Sequence, residues 1–200
     1  MNNPKFQQPT SFKFTKKALD TAKKHIAKYP KGRQASAVMP LLDLAQRQND
    51  GWLPRIAMDY VADLLEMSRI SVYEVATFYT MYNLEPVGKF HVQICTNLPC
   101  LLRGSDKIIA VTKDHLNIGL GETSEDKFFT LTEVECLGAC VNAPMMQIND
   151  DYYEDLDENS ALNIFTELRH GKTPKSGSQI GRNTCEPIGG LTTLTNDTGS

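Results

Sequence analysis

No stretch of this sequence is apolar over the roughly 18 residues that a bilayer-crossing helix needs, so no segment is expected to insert into a membrane. Met1 to Thr10 is polar and lacks the apolar core of a secretory signal. It also has no arginine and no amphipathic pattern, which argues against a transit peptide. Charge of one sign is not in excess. The 21 Lys and Arg against 24 Asp and Glu leave −3 over 200 residues, which excludes a basic nucleic-acid surface and a polyacidic tail. There is no internal repeat and no Gly-rich strand–turn–helix fingerprint for a nucleotide. His25, His91, His115 and His170 are scattered without the pairing that zinc or general-base chemistry needs, so no catalytic residue is assigned. A soluble intracellular chain of one domain or two small ones is expected, able to dock onto a membrane complex through other proteins.

What is present divides into three segments. Residues 1–86 read as a helical domain. Ala18, Leu19, Ala22 and Ile26 recur at helical spacing before Pro30 and Gly32. A second helix is predicted over 34–48 with Val38, Leu41, Leu42 and Ala45 inward, and it must either start near Pro40 or kink there. Asn49-Asp50-Gly51 stops it. Pro54 suits the first turn of a third helix with Ile56, Tyr60, Val61, Leu64 and Leu65 inward. Ser71 and Glu74 are spaced as a capping box for a fourth, holding Val75, Phe78 and Tyr79 as core.

Glu85 to Gly88 is a turn and a domain boundary, after which the period changes to two. In 87–171, Phe90, Val92 and Ile94 lead a strand into Cys95, with His91 on its solvated face. A helix over 105–116, a strand over 128–134 entering Cys136, strands at 144–148 and from Tyr152-Tyr153, and a last helix through Leu162, Phe165 and Leu168 follow. This β-α-β-β-α order predicts an α/β sandwich of the thioredoxin type. The acidic run of Asp150, Asp151, Glu154, Asp155, Asp157 and Glu158 reads as a solvated face plus helix-start charge. Residues 172–200 are rich in Gly, Pro, Ser and Thr and read as an extended or partner-bound tail.

Five cysteines in a reducing compartment point to metal or redox chemistry rather than disulfides. Cys95 and Cys100 form C-x4-C, and Cys136 and Cys140 form C-x3-C. Each pair follows a predicted strand, so two neighbouring strand ends can bring four thiolates to one centre. A [2Fe–2S] cluster takes two thiolates on each iron. It is negatively charged and needs close N–H donors, which the small residues of Leu137-Gly138-Ala139 and Val141-Asn142-Ala143 allow. Pro99 and Pro144 stiffen the loops, and Arg103 either raises the potential or is simply solvated. Spacing leaves alternatives open. Zinc accepts four cysteines at such gaps, a thiol oxidoreductase uses a cysteine pair, and four buried unligated cysteines are the bland reading.

At these residues the chain resembles the thioredoxin-like [2Fe–2S] subunit of respiratory NADH:quinone oxidoreductase (complex I). The matching stretches are Leu41 to Gln48, Gly51-Trp52-Leu53-Pro54, VYEVATFYTMYN from Val72 to Asn83, Cys95 to Asp106, Val134 to Asp150, Cys185-Glu186-Pro187 and Gly189-Gly190-Leu191. Related NAD-linked hydrogenases and formate dehydrogenases use similar subunits. The resemblance implies an N-terminal helical bundle, a thioredoxin-like [2Fe–2S] ferredoxin domain and an extended C-terminal tail. It implies that Cys95, Cys100, Cys136 and Cys140 hold one [2Fe–2S] cluster, on a side branch that exchanges electrons with flavin. FMN and NADH are then bound by a partner flavoprotein subunit, and no complete active site lies in this chain. The implied place is the peripheral arm, on the cytoplasmic face of a bacterial inner membrane or the mitochondrial matrix side, with the missing presequence leaning toward the bacterial. A zinc-stabilised, non-redox assembly module is the alternative. Family members of the mitochondrial kind continue past the GGL segment, whereas this chain stops at Ser200. Cys185 is left as a structural or interfacial thiol. Trp52, Tyr73, Phe78, Tyr79 and Tyr82 are expected as core, with any exposed part a candidate flavoprotein interface.

Overall fold

The structure, a computed structural model, describes residues 6–190, 192 and 193. Leu191 and the stretch from Leu194 to Ser200, which belong to the expected tail, lie outside the described residues, as do Met1 to Lys5. The chain forms two compact units, Met1–Val87 and Gly88–Ser200.

The first unit carries helices α1 (Lys16–Ile26), α2 (Val38–Gln48), α3 (Arg55–Leu65) and α4 (Arg69–Phe78). Their small and branched faces meet in one core, with Ala22, Leu41, Leu42, Ala45, Ala57, Val61, Ala62 and Val72 fully buried. Thr15 caps α1 by accepting the Ala18 N–H at 3.2 Å. The helix starts near Pro40, as one of the two expected options has it. A single 3-10 turn, Gln34–Ala37, leads into the helix, and Pro40 is its third residue. An N–H there has no intrahelical partner, so its absence costs nothing. Asp50 (φ 51°) and Gly51 (φ 84°) then turn the chain through left-handed conformations.

Two expectations for α4 are corrected. Its cap is Ser68, one turn before the expected Ser71. Ser68 Oγ accepts the Ser71 N–H at 3.3 Å, and the two hydroxyls lie 2.8 Å apart. A serine three residues ahead of Ser71 competes for the same cap, and starting earlier sets Val72 and Ala76 against the core. Phe78 and Tyr79 are not core. Phe78 lies two residues beyond Ala76, about 200° around the helix, and is 76% exposed. Trp52 and Tyr82 are buried as expected. Tyr82 donates its hydroxyl to Met39 O at 3.0 Å, and Asn83 donates Nδ2–H to Gly51 O at 2.8 Å. The end of the VYEVATFYTMYN stretch is thus tied to the helices before it. Pro54 is the cap residue of α3 rather than its first helical residue.

The second unit carries strands β1 (Phe90–Cys95), β2 (Glu122–Thr123), β3 (Phe129–Val134), β4 (Met146–Ile148), β5 (Asp151–Glu154) and β6 (Gly177–Ser178). Helices α5 (Leu98–Leu102), α6 (Ser105–Leu116) and α7 (Glu158–Arg169) interleave with them. The sheet order is β2-β3-β1-β4-β5-β6. β1 runs parallel to β3, with Cys95 opposite Val134, and antiparallel to β4. Val92, Ile94, Phe129, Leu131, Met146 and Ile148 form a core with Ile108, Leu116, Ile164, Phe165 and Leu168 of the helices. This is the expected thioredoxin-like plan. The two-residue β2 and the five-residue α5 are too short for periodicity to reveal. The described part of the tail has one short strand, β6, which pairs parallel to β5 at Tyr153↔Gly177, and otherwise runs through loops and turns.

His91, expected in solvent, is half-buried instead. Its Nε2 lies 2.8 Å from Thr132 Oγ1, across the β1–β3 pair. Burial lowers its pKa from 6.5 to about 4.

The unfolded chain therefore takes up the His91 proton first as pH falls, and stability declines between pH 6.5 and about 4. His91→Gln is expected to flatten that decline, read as urea midpoints at neutral and acid pH. Gly88→Ala should destabilise by about 1–3 kcal/mol in chemical denaturation. A Cβ there would lie 2.8 Å from the Phe129 carbonyl carbon and 2.9 Å from its nitrogen, and backbone cannot give way.

Candidate metal centre

The parallel pairing of β1 and β3 places the ends of both strands at one edge of the sheet. Cys95 closes β1, and Cys136 follows β3 by two residues. Asn97 opens α5 by accepting the Leu98 N–H at 2.7 Å, with Pro99 in the first turn. This short helix turns the chain back, so that Cys100 on α5 meets Cys95 side chain to side chain. Both are buried, at 2% exposure for Cys95 and 1% for Cys100. Cys136 is exposed and Cys140 half-buried, with their sulfurs 3.3 Å apart. Leu137, Ala139 and Tyr152 pack on the cluster that contains Cys95, Cys100, Ala143 and Met145, so the two loops share one patch.

Backbone groups act on the sulfurs. Gly138, at φ 83°, donates to Cys136 Sγ at 3.3 Å. Met145 packs beside Cys100, and its backbone favours the ionised thiol. Tyr152 donates its hydroxyl to Leu137 O at 2.8 Å and steadies the second loop. The thiols differ accordingly. Burial, then the contact with Cys95, pushes Cys100 up to about 12. The Gly138 N–H lowers Cys136, while sharing a hydrogen bond with Cys136 raises Cys140.

All five cysteines are free thiols. Among the described residues no three His, Cys, Asp or Glu side chains gather at the reach of a single metal ion. The sulfurs are instead arranged as two pairs. Four soft donors, split two and two, with a backbone N–H at Cys136, fit a [2Fe–2S] cluster, which takes two thiolates at each iron.

Other expected residues fall as follows. Arg103 is exposed, and its Nε–H donates to Ala143 O at 3.5 Å, linking the end of α5 to the second loop. Cys185 is an exposed thiol in the tail and belongs to neither pair. The acidic run is not wholly solvated. Asp157 caps α7, whereas Asp155 is buried against Arg182 at 3.1 Å. Its partner lies 27 positions later in the tail, and no local pattern links the two. Around the cysteine edge, Leu98, Leu101 and Leu102 of α5 and Val141 remain exposed.

Known proteins resemble this chain. The chain is 57% identical over 161 residues to an NADH-quinone oxidoreductase subunit from Rickettsia conorii, covering 80% of this chain and 96% of that one. It is 52% identical over 185 residues to NADH dehydrogenase [ubiquinone] flavoprotein 2, mitochondrial, of Dictyostelium discoideum, covering 92% and 75%. A chain of an NAD+-reducing [NiFe]-hydrogenase in the air-oxidized state has the same fold, with a TM-score of 0.57 at 16% identity. That match covers 65% of this chain and 23% of the hydrogenase chain. Residues 22–169 match the family model of the thioredoxin-like [2Fe-2S] ferredoxins, and the chain belongs to that family.

Proposed function

We propose that this chain is the electron-transfer subunit of a respiratory NADH:quinone oxidoreductase, complex I, and carries one [2Fe–2S] cluster on Cys95, Cys100, Cys136 and Cys140. The observation that carries the reading is the two thiol pairs brought to one sheet edge, with the Gly138 N–H on Cys136. The relatives from Rickettsia conorii and Dictyostelium discoideum support the assignment to that complex.

When bound, the cluster supplies a one-electron centre. The chain's residues do the rest. Cys95 and Cys100 hold one side from the interior, where Ala143 and Met145 exclude water. Cys136 and Cys140 hold the other side at the surface. The Gly138 N–H and the Met145 backbone offset negative charge without adding side-chain bulk. Short loops braced by Pro99, Pro144 and Tyr152 leave little to reorganise as the charge changes.

The exposed Leu98, Leu101, Leu102 and Val141 make an apolar rim beside the surface pair. Such a rim suits a protein partner. We assign it to the flavoprotein subunit that binds NADH and FMN, with which the cluster exchanges electrons. The chain holds no complete active site of its own. No helix among the described residues is long and apolar enough to cross a membrane. Its proposed place is the peripheral arm, on the cytoplasmic face of a bacterial inner membrane or the equivalent matrix face.

Anaerobically purified protein should be reddish-brown, with about two irons and two acid-labile sulfides per chain. Colourless protein holding one zinc would overturn the reading. Serine at any of the four positions should abolish or distort the cluster spectrum, whereas Cys185→Ser should leave it intact. Leu102→Glu should preserve the spectrum and weaken binding to the flavoprotein subunit roughly 10-fold, measured as a dissociation constant.

A further inference from the structure

The turn that carries Cys140 is flanked by Ala139 and Ala143, which pack on the inner cluster, but its own outer side is open. Cys140–Asn142 is a single 3-10 turn, Cys136 is exposed, and Val141 is 67% exposed. A polar hold supplements that packing.

The hold comes from the tail. β6 fixes the chain beside β5, and the Gln179 N–H donates to Glu154 O at 2.9 Å. Arg182 follows, its own N–H 3.2 Å from Ser178 Oγ. The Arg182 and Asp155 side chains are only 6% and 4% exposed, with Nε 3.1 Å from Oδ2. Arg182 Nη2 donates to Val141 O at 2.9 Å, on the residue next to Cys140. Asn142 Nδ2 donates to Asp155 Oδ2 at 3.2 Å and to Thr184 O at 2.8 Å. The Asp155 N–H donates to Asn142 O at 2.7 Å, and the Leu156 N–H to Pro144 O at 3.0 Å. The turn is gripped on the Asn142 side chain and on two of its carbonyls, with Pro144 O held just beyond it, by two segments distant in sequence.

Burying a full ion pair is a poor way to add stability, because desolvation consumes most of the attraction. It is a good way to set geometry, because the planar guanidinium fork has fixed donor directions. Here Nη2 donates to the Val141 carbonyl while the guanidinium charge sits against Asp155, with Nε 3.1 Å from Oδ2 but without an aligned hydrogen bond, and the side chain so joins the tail to the turn. We infer that Arg182 and Asp155 are positioning residues, an ion-pair latch that holds Cys140 beside Cys136 as a ligand. This rests on the proposed ligand role of Cys140. The tail is then part of the support of the metal centre.

The test uses the full chain, purified without oxygen, carrying R182M, R182K or N142A. Iron release to a chelator, visible circular dichroism and the electron paramagnetic resonance of the reduced protein are the readouts. R182M should release iron on the order of 10-fold faster, as loss of a ligand's outer partner typically does, and should show altered spectra. R182K keeps the charge and should fall between R182M and wild type. If R182M does not fold, N142A carries the test. It leaves the ion pair in place and frees the turn from Asp155 and Thr184, so faster release and shifted spectra are again expected. Wild-type spectra and release rates in R182M and N142A, from protein whose parent holds a cluster, would overturn the latch alone, as would R182K no better than R182M. A wild-type chain without iron and sulfide would overturn the proposed function and the latch with it.

Discussion

The parallel pairing of β1 with β3 is the contact on which the metal centre depends. Parallel strands cannot be joined by a tight turn, and α6 supplies part of the crossover that lets both run the same way. The register is held by Val92 and Ile94 facing the same core as Phe129 and Leu131. A slip of one residue would turn those side chains to the opposite face, so the core specifies the alignment. With Cys95 opposite Val134, the two cysteine loops leave the sheet side by side. Two loops separated by 35 residues are thereby brought to one edge of the sheet.

From that edge the site grades from interior to surface. Cys95 and Cys100 lie within the fold, and Cys136 reaches solvent. The inner pair and its apolar neighbours keep water away, while the outer pair is open beside the exposed leucines of α5. An electron carrier needs this asymmetry: protection on one side and close approach by a partner on the other. The outer pair is open to solvent, and its loop is held both by Leu137 and Ala139 packing on the inner cluster and by polar contacts through Gly138, Tyr152 and the Arg182–Asp155 pair.

The helical unit shows where local patterns suffice and where they compete. Its inward stripes in α1, α2 and α3 follow the helical period, because burying small apolar faces is the main return for forming such short helices. The start of α4 is ambiguous in sequence because Ser68 and Ser71 both have the chemistry of a cap, and the choice rests on packing of Val72 and Ala76. Phe78 and Tyr79 carry an apolar signal that suits a core or a binding surface equally. Phe78 faces outward because the helix puts it across from Val72 and Ala76, and Tyr79 because α4 ends just before it.

By itself the sequence determined the donors and their spacing, the change of period near Gly88, the strands that lead into each cysteine pair, and membership in a family through long motifs. These are local properties, written in contiguous residues and in periods of two or 3.6. Tertiary structure decided the rest. It made Asp155 a buried partner of Arg182 rather than part of a solvated acidic face. It set His91 against Thr132 and lowered its pKa. It drew a tail with no periodicity of its own onto β5 and the Cys140 turn. Each of these depends on desolvation and hydrogen bonding between residues far apart in the chain, and neither is visible until the sheet has brought them together.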